Sequence, residues 1–240
     1  MLSLGYFYCL YDIDVNSALF PTEEHHVDYI ESIESSVSSI VIPDWTCNDA
    51  SYIEFDFSRF TNLETLEIGD DCFGSVELFR IDGLRRLKSI TIGTNSFTKE
   101  KNDYGDDESK SFRILNCESL ESIEIGGYSF SDYGGDFELK NLPKLQSIHI
   151  GTIGSRSFNF CDCSFVVQGL FVLHWYDVDF PALTSITLGD LTFGYSVSTV
   201  LESNSIALNE YQQIFRYCNL SILVNVLLLE GMKMIPAHLL

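Results

Sequence analysis

This 240-residue sequence is short of positive charge: it has 14 Lys and Arg against 35 Asp and Glu, a formal net charge of −21. Nucleic-acid binding runs on Lys and Arg displacing counterions from phosphates, so the deficit argues against a nucleic-acid partner and against an anionic membrane surface. The deficit is uneven. No Lys or Arg precedes Arg59, and that stretch holds eleven acids, from Asp12 to Asp56. Long apolar runs are lacking too. The longest, Leu220 to Leu229, is broken by Ser221 and Asn225 and falls short of the roughly 18 residues a membrane helix needs, so no membrane insertion is expected. The apolar start, Leu2 to Tyr11, has no basic residue before it and runs straight into Asp12 and Asp14, which is not the pattern of a secretory signal.

Signatures of catalysis are missing as well. There is no H-E-x-x-H, P-loop, G-x-S-x-G or G-x-G-x-x-G. The five histidines, His25, His26, His149, His174 and His238, belong to no recognisable acid–base set, so no catalytic residue and no cofactor is assigned. The seven cysteines (Cys9, Cys47, Cys72, Cys117, Cys161, Cys163 and Cys218) are odd in number and irregular in spacing, unlike a secreted disulfide framework. They read as small buried hydrophobes in a reducing compartment, which points to the cytoplasm. Cys161-Asp162-Cys163 lacks the second pair that a zinc site needs. The run from Asp12 to Glu23 places oxygen ligands as an EF-hand loop does, but Ser17 stands where the sharp turn requires glycine, so no metal is assigned. The loops Asp103 to Glu108 and Asp132 to Asp136 read as solvated rather than cation-binding.

What the sequence does contain is repetition. Five segments align without gaps: Phe55–Phe73, Phe79–Phe97, Phe112–Phe130, Phe137–Ser155 and Trp175–Phe193. With the glycines Gly69, Gly93, Gly126, Gly151 and Gly189 as position zero, an aromatic falls at −14 and a Leu at −6 in all five, and Ile or Leu at −3 and −1. Phe stands at +4 in four, Ser155 being the exception, and a degraded sixth copy, Val37 to Pro43, comes first. The zero points are 26, 24, 33, 25 and 38 residues apart, so the unit is about two dozen residues and the long intervals are insertions, Thr98 to Lys110 and one within Thr152 to His174. L-x-x-I-x-I ends in the period-2 alternation of a short half-buried strand. The segment at −14 to −12 alternates likewise and reads as a second strand, and there is no room for a helix. The glycine after the strand marks a corner where φ > 0 is tolerated, and the Phe at +4 folds inward. One unit cannot bury these residues alone, whereas stacked units can.

These copies resemble leucine-rich repeats, and most closely the BspA-like class, in which an L-x-x-I-x-I strand is followed by a turn and an inward Phe. The resemblance spans Val37 to about Phe193. It implies a mainly β fold: a leucine-rich-repeat-type right-handed solenoid with short strands, few or no helices in the repeats and irregular capping ends. It also implies an asparagine ladder, but the matching residues are Asp71, Asn95, Tyr128, Ile153 and Leu191, so one copy keeps it. The chain then divides into an acidic N-terminal cap (1–36, with Thr22 to Ser36 at helix-compatible spacing), about six rungs (37–194) and a C-terminal cap or divergent tail (195–240).

Alternation puts the −4 and −2 residues on the outside of one sheet. The −4 column is Thr65, Ser89, Ser122, Ser147 and Ser185; the −2 column is Glu67, Thr91, Glu124, His149 and Thr187. Hydroxyls at −4 serve cross-strand packing, while the variable −2 column has the character of a recognition face. These ten residues form the candidate partner-binding face of a non-enzymatic protein–protein interaction scaffold whose acidic loops suit a basic protein. The resemblance also offers a cell-surface adhesion role. A β-solenoid polysaccharide enzyme and a divergent copy with no retained role are the remaining alternatives. If the register is right, Ile123→Asp buries a charge at −3 of a central copy and lowers the melting temperature by about 10 °C or more. A thermal melt within about a degree of the parent would refute the register.

Overall fold

A computed structural model describes residues 17–19, 34–99, 107–152, 154–168, 182–183, 185–193 and 199–201. Among these, every regular helix or strand is a strand. The first sheet contains β1 (Ser17–Leu19), β2 (Ser39–Ile42), β4 (Thr65–Ile68), β6 (Ser89–Ile92), β8 (Ser122–Ile125), β10 (Ser147–Ile150) and β12 (Ser185–Leu188), in that spatial order. The second contains β3 (Glu54–Asp56), β5 (Leu78–Asp82), β7 (Ser111–Leu115), β9 (Asp136–Lys140), β11 (Ser164–Gln168) and β13 (Thr199–Leu201). From β2 onward the chain alternates between the sheets, and every pairing is parallel. Parallel neighbours need a crossover between them, usually a helix that covers a sheet face. From β2 onward each crossover includes a strand of the other sheet, so both sheets keep an outer face in water.

The inward residues of both sheets meet in one core. Its spine is two phenylalanine ladders. Phe55, Phe79, Phe112 and Phe137 stack at centroid distances of 4.8, 4.6 and 4.9 Å, within 9° of parallel. Phe73, Phe97, Phe130, Phe160 and Phe193 stack at 4.9, 4.7, 4.8 and 5.5 Å. The ladders meet edge to face, as at Phe79–Phe97 (90°) and Phe79–Phe130 (86°), the arrangement the ring quadrupole favours. Each buried ring contributes about 1.5–3 kcal/mol by burial.

Phe160 corrects the sequence alignment. It stands nine residues after Gly151 rather than four, so an insertion lies within this corner, and Phe160 instead of Ser155 completes the ladder. Likewise the −14 place of the following copy pairs Phe165, not Trp175, with Phe137; Trp175 lies outside the described residues. The acidic loop Asp132 to Asp136 is solvated only at its end, where Asp136 is exposed. Asp132 and Tyr133 are buried, and the Lys110 ammonium, also buried, donates to Asp132 Oδ2 at 2.6 Å. The expected helix from Thr22, the EF-hand-like acids Asp12 to Asn16 and Glu23, and the tail beyond 201 fall outside the described residues, while Ser17–Leu19 form β1 against β2.

The corner after each first-sheet strand is built differently from expectation. The left-handed residues are those at +2 and +4: Asp71 and Phe73, Asn95 and Phe97, Tyr128 and Phe130, with Phe158 and Phe160 after the insertion. Of the five glycines only Gly151 has positive φ. The others are needed because successive repeats touch there. A Cβ on Gly93 would lie 2.6 Å from the carbonyl carbon of Gly69, and one on Gly126 2.6 Å from that of Gly93. The N–H groups of Gly69, Gly93 and Gly126 each donate, at 2.8 Å, to the carbonyl at −1 of the preceding repeat.

The asparagine ladder is replaced one position along. At +3 stand Thr46, Cys72, Ser96, Ser129, Asn159 and Thr192, all buried. Ser96 Oγ accepts the Cys72 N–H at 3.0 Å and donates to the Gly69 carbonyl at 2.7 Å. Ser129 Oγ accepts the Ser96 N–H at 3.0 Å and donates to the Gly93 carbonyl at 2.6 Å. Asn159 Nδ2 donates to the carbonyls of Gly126 and Ser129, both at 2.8 Å. A small polar side chain thus satisfies backbone groups that the corner buries. Asparagine does serve at the opposite corner, where left-handed Asn116 donates to Asp82 at 2.8 Å and left-handed Asn141 donates to Asn116 at 2.9 Å.

Two glycine substitutions separate these effects. Gly126→Ala forces a methyl into fixed backbone and is expected to cost about 3 kcal/mol or more in urea denaturation. Gly83→Ala, at φ 74 with no atom within 4 Å, is expected to cost about 1 kcal/mol from strain alone. Equal costs would contradict the close-contact account.

Candidate functional site

The strands β2, β4, β6, β8 and β10 share one burial pattern, in which the second and fourth residues are buried and the third faces outward. Hydrophobic Ile or Leu at those two places drives the alternation, and parallel pairing without slippage repeats it from strand to strand. The register joins Thr65 to Ser89, Ser89 to Ser122, Ser122 to Ser147 and Ser147 to Ser185. It also joins Glu67 to Thr91, Thr91 to Glu124, Glu124 to His149 and His149 to Thr187. All ten residues singled out from the sequence therefore lie in two columns on the outer face of the first sheet, with successive members about 4.8 Å apart. The −4 column is half-buried; Glu67, Thr91, Glu124 and His149 are exposed and Thr187 is half-buried.

The structure extends both columns by one strand, through Ser39 and Val41. Thr65 Oγ1 donates to Ser39 Oγ at 2.8 Å, the cross-strand role expected of the hydroxyl column. The signal for this extension was the degraded Val37 to Pro43 copy. His149 Nε2 lies 2.9 Å from the Gly151 carbonyl, so the ring is held by its own turn.

Charges border the face on both sides. On one side Lys88 Nζ contacts Glu64 Oε2 at 2.6 Å; the hydrogen bond and the ammonium charge hold the Glu64 carboxyl below the usual range. Both side chains are well exposed, so the pair adds little stability. On the other side, at +1, Asp44 Oδ1 accepts the Asp70 N–H at 2.8 Å and Asp70 Oδ1 accepts the Thr94 N–H at 2.6 Å. These carboxylates tie repeat to repeat and stay exposed at the corner.

The outer face of the second sheet differs. Its arginines are matched with carboxylates, Arg80 with Asp82 at 2.8 Å and Arg113 with Asp136 at 2.7 Å and Glu138 at 3.7 Å, while Glu54 and Asp56 at its edge are exposed and in no ion pair among the described residues. Opposite charges across neighbouring strands stabilise a sheet and leave little to offer a partner. Glu67, Glu124 and His149 on the first sheet have no ion pair among the described residues.

The face holds hydroxyls, carboxylates and an imidazole at fixed spacing, a surface for hydrogen bonding and charge recognition. Among the described residues no three His, Cys, Asp or Glu side chains are grouped to hold a metal ion. Cys47, Cys72, Cys117, Cys161 and Cys163 are buried and form no disulfide. Burial pushes the Cys47 thiol up to about 12 and that of Cys117 up to about 11. Among the described residues no helix is long and apolar enough to cross a membrane.

The thiols make a pH dependence. Below their ordinary value of 9.0 both folded and unfolded chains keep the Cys117 proton. Above it the unfolded chain loses that proton first, so unfolding becomes easier until the folded thiol titrates at about 11. The urea midpoint is therefore expected to fall as pH rises from 9 to 11, with a shallower fall in Cys117→Ala. An identical slope in the variant would contradict the assignment. No family model, curated protein or solved structure matches this chain.

Proposed function

We propose that the chain is a leucine-rich-repeat-type right-handed solenoid of BspA-like character, about six rungs long. On this reading it is a non-enzymatic scaffold that binds a basic protein. The partner docks on the outer face of the first sheet, over Thr65, Glu67, Ser89, Thr91, Ser122, Glu124, Ser147, His149, Ser185 and Thr187, and on the acidic corners beside it. Support for the solenoid comes from the two parallel sheets and from strands that alternate between them in constant register. Support for docking comes from Glu67 and Glu124, which project from the first sheet with no ion pair among the described residues, beside the exposed corner carboxylates Asp44 and Asp70. The buried thiols, which form no disulfide, suit a reducing compartment, the cytoplasm.

Affinity carried by exposed carboxylates falls with added salt, since charges are screened beyond about 8 Å at physiological ionic strength. Affinity purification at about 50 and about 300 mM salt is expected to lose the partner at the higher concentration, and Glu67→Lys with Glu124→Lys to lose it at both. Capture that is indifferent to salt and to the double variant would count against the acidic face.

A further inference from the structure

Among the described residues, Trp45, Ile53 and Leu78 are the exposed large hydrophobics, and Trp45 is the most exposed, at 73%. Trp45 occupies the +2 place of the first corner, with φ 64. The equivalent residues in the later repeats are Asp71, Asn95, Tyr128, Phe158 and Leu191, all left-handed and all half-buried or buried. A left-handed residue suits Asn or Asp far better than a bulky aromatic. At 73% exposure the indole recovers little of that strain by burial. Tyr128, Phe158 and Leu191 carry the same strain but are half-buried or buried, so Trp45 is set apart by its exposure.

The surroundings are anionic. The Trp45 N–H donates to the Asp70 carbonyl at 2.8 Å, which sets the ring's backbone against the next repeat. Asp44 and Asp70 are exposed in the neighbouring +1 column, Asp71 follows Trp45 in its own column, and Glu67 is exposed on the adjoining strand β4. None of these four carboxylates forms an ion pair among the described residues, and no Lys or Arg occurs in the chain before Arg59. The corner adjoins the face discussed above through Val41 and Glu67.

We propose that Trp45 is the anchor of the docking surface and takes a Lys or Arg side chain of a basic partner segment on its ring, with Asp44, Asp70, Asp71 and Glu67 supplying the charge complement. An aromatic face attracts a cation, and guanidinium stacks on indole best. This inference rests on the docking reading and adds to it the site of tightest contact.

Binding of fluorescein-labelled octa-arginine to the full chain, read by anisotropy in low salt, tests it, with octa-glutamate as the comparison. Trp45→Asn is expected to weaken octa-arginine binding by roughly three- to tenfold. It is also expected to keep or raise the melting temperature, because Asn suits the left-handed backbone. Trp45→Phe is expected to lie between Trp45→Asn and the parent. Octa-arginine bound equally by parent and Trp45→Asn would overturn the anchor and leave the acidic-surface reading standing. No octa-arginine binding by the parent, or equal binding of octa-glutamate, would overturn both.

Discussion

The fold depends on like residues of successive repeats lying on one another. A phenylalanine of one repeat stacks on the phenylalanine of the next, first along the −14 ladder and then along the corner ladder, and the two ladders lock edge to face. No ring of this core is buried by its own repeat alone. Register is consequently worth more here than any single contact, since a one-residue slip of a strand would move its Ile and Leu to water and its Glu and Ser into the core.

Keeping that register imposes local costs, and the corners carry them. Two left-handed residues in each corner let the chain turn back sharply enough to aim the +4 phenylalanine inward. The turn brings glycine backbone against glycine backbone at a distance no Cβ would tolerate. It also buries N–H and C=O groups, which the +3 hydroxyls, together with Asn159, satisfy by reaching across to the preceding repeat. The corner works as a unit: close contact, left-handed backbone and buried hydroxyl each make sense only with the other two. An insertion after Gly151 is accommodated because Phe158 to Phe160 restore the same geometry farther along the chain.

The same repetition separates surface from core. With the inward columns apolar, the charged side chains of the described residues lie mainly on the outward columns and the corners. On the second sheet Arg80 pairs along its own strand with Asp82 and Arg113 pairs across to β9, while Glu67 and Glu124 of the first sheet have no ion pair among the described residues. The buried Lys110–Asp132 pair is an exception to this segregation. Lys110 is the last residue of the first insertion, and its ammonium lies 5.6 Å from the centre of the Tyr133 ring. Removing one partner would leave a buried charge uncompensated.

Most strand positions, the inward Leu and Ile columns and the ten outward residues of the first sheet were legible in the residue pattern, but β11 was not, being expected at Trp175 and standing at Ser164–Gln168. Period-2 alternation and a constant spacing to glycine are local properties, and repetition in five copies makes them hard to mistake. Other features belong to the tertiary structure because they are relations between repeats. Phe160 takes the ladder place instead of Ser155 because stacking tolerates an insertion that an ungapped alignment does not. The glycines are required by the backbone beside them rather than by their own φ. Ser96 and Ser129 are ladder residues because a buried carbonyl of the preceding repeat lies within reach. Trp45 is exposed because of its place on the outer side of a corner, a relation that no local pattern carries. The sequence by itself determined which side of each strand faces the core, and only the stacking of one repeat on the next decided what that core and those corners are made of.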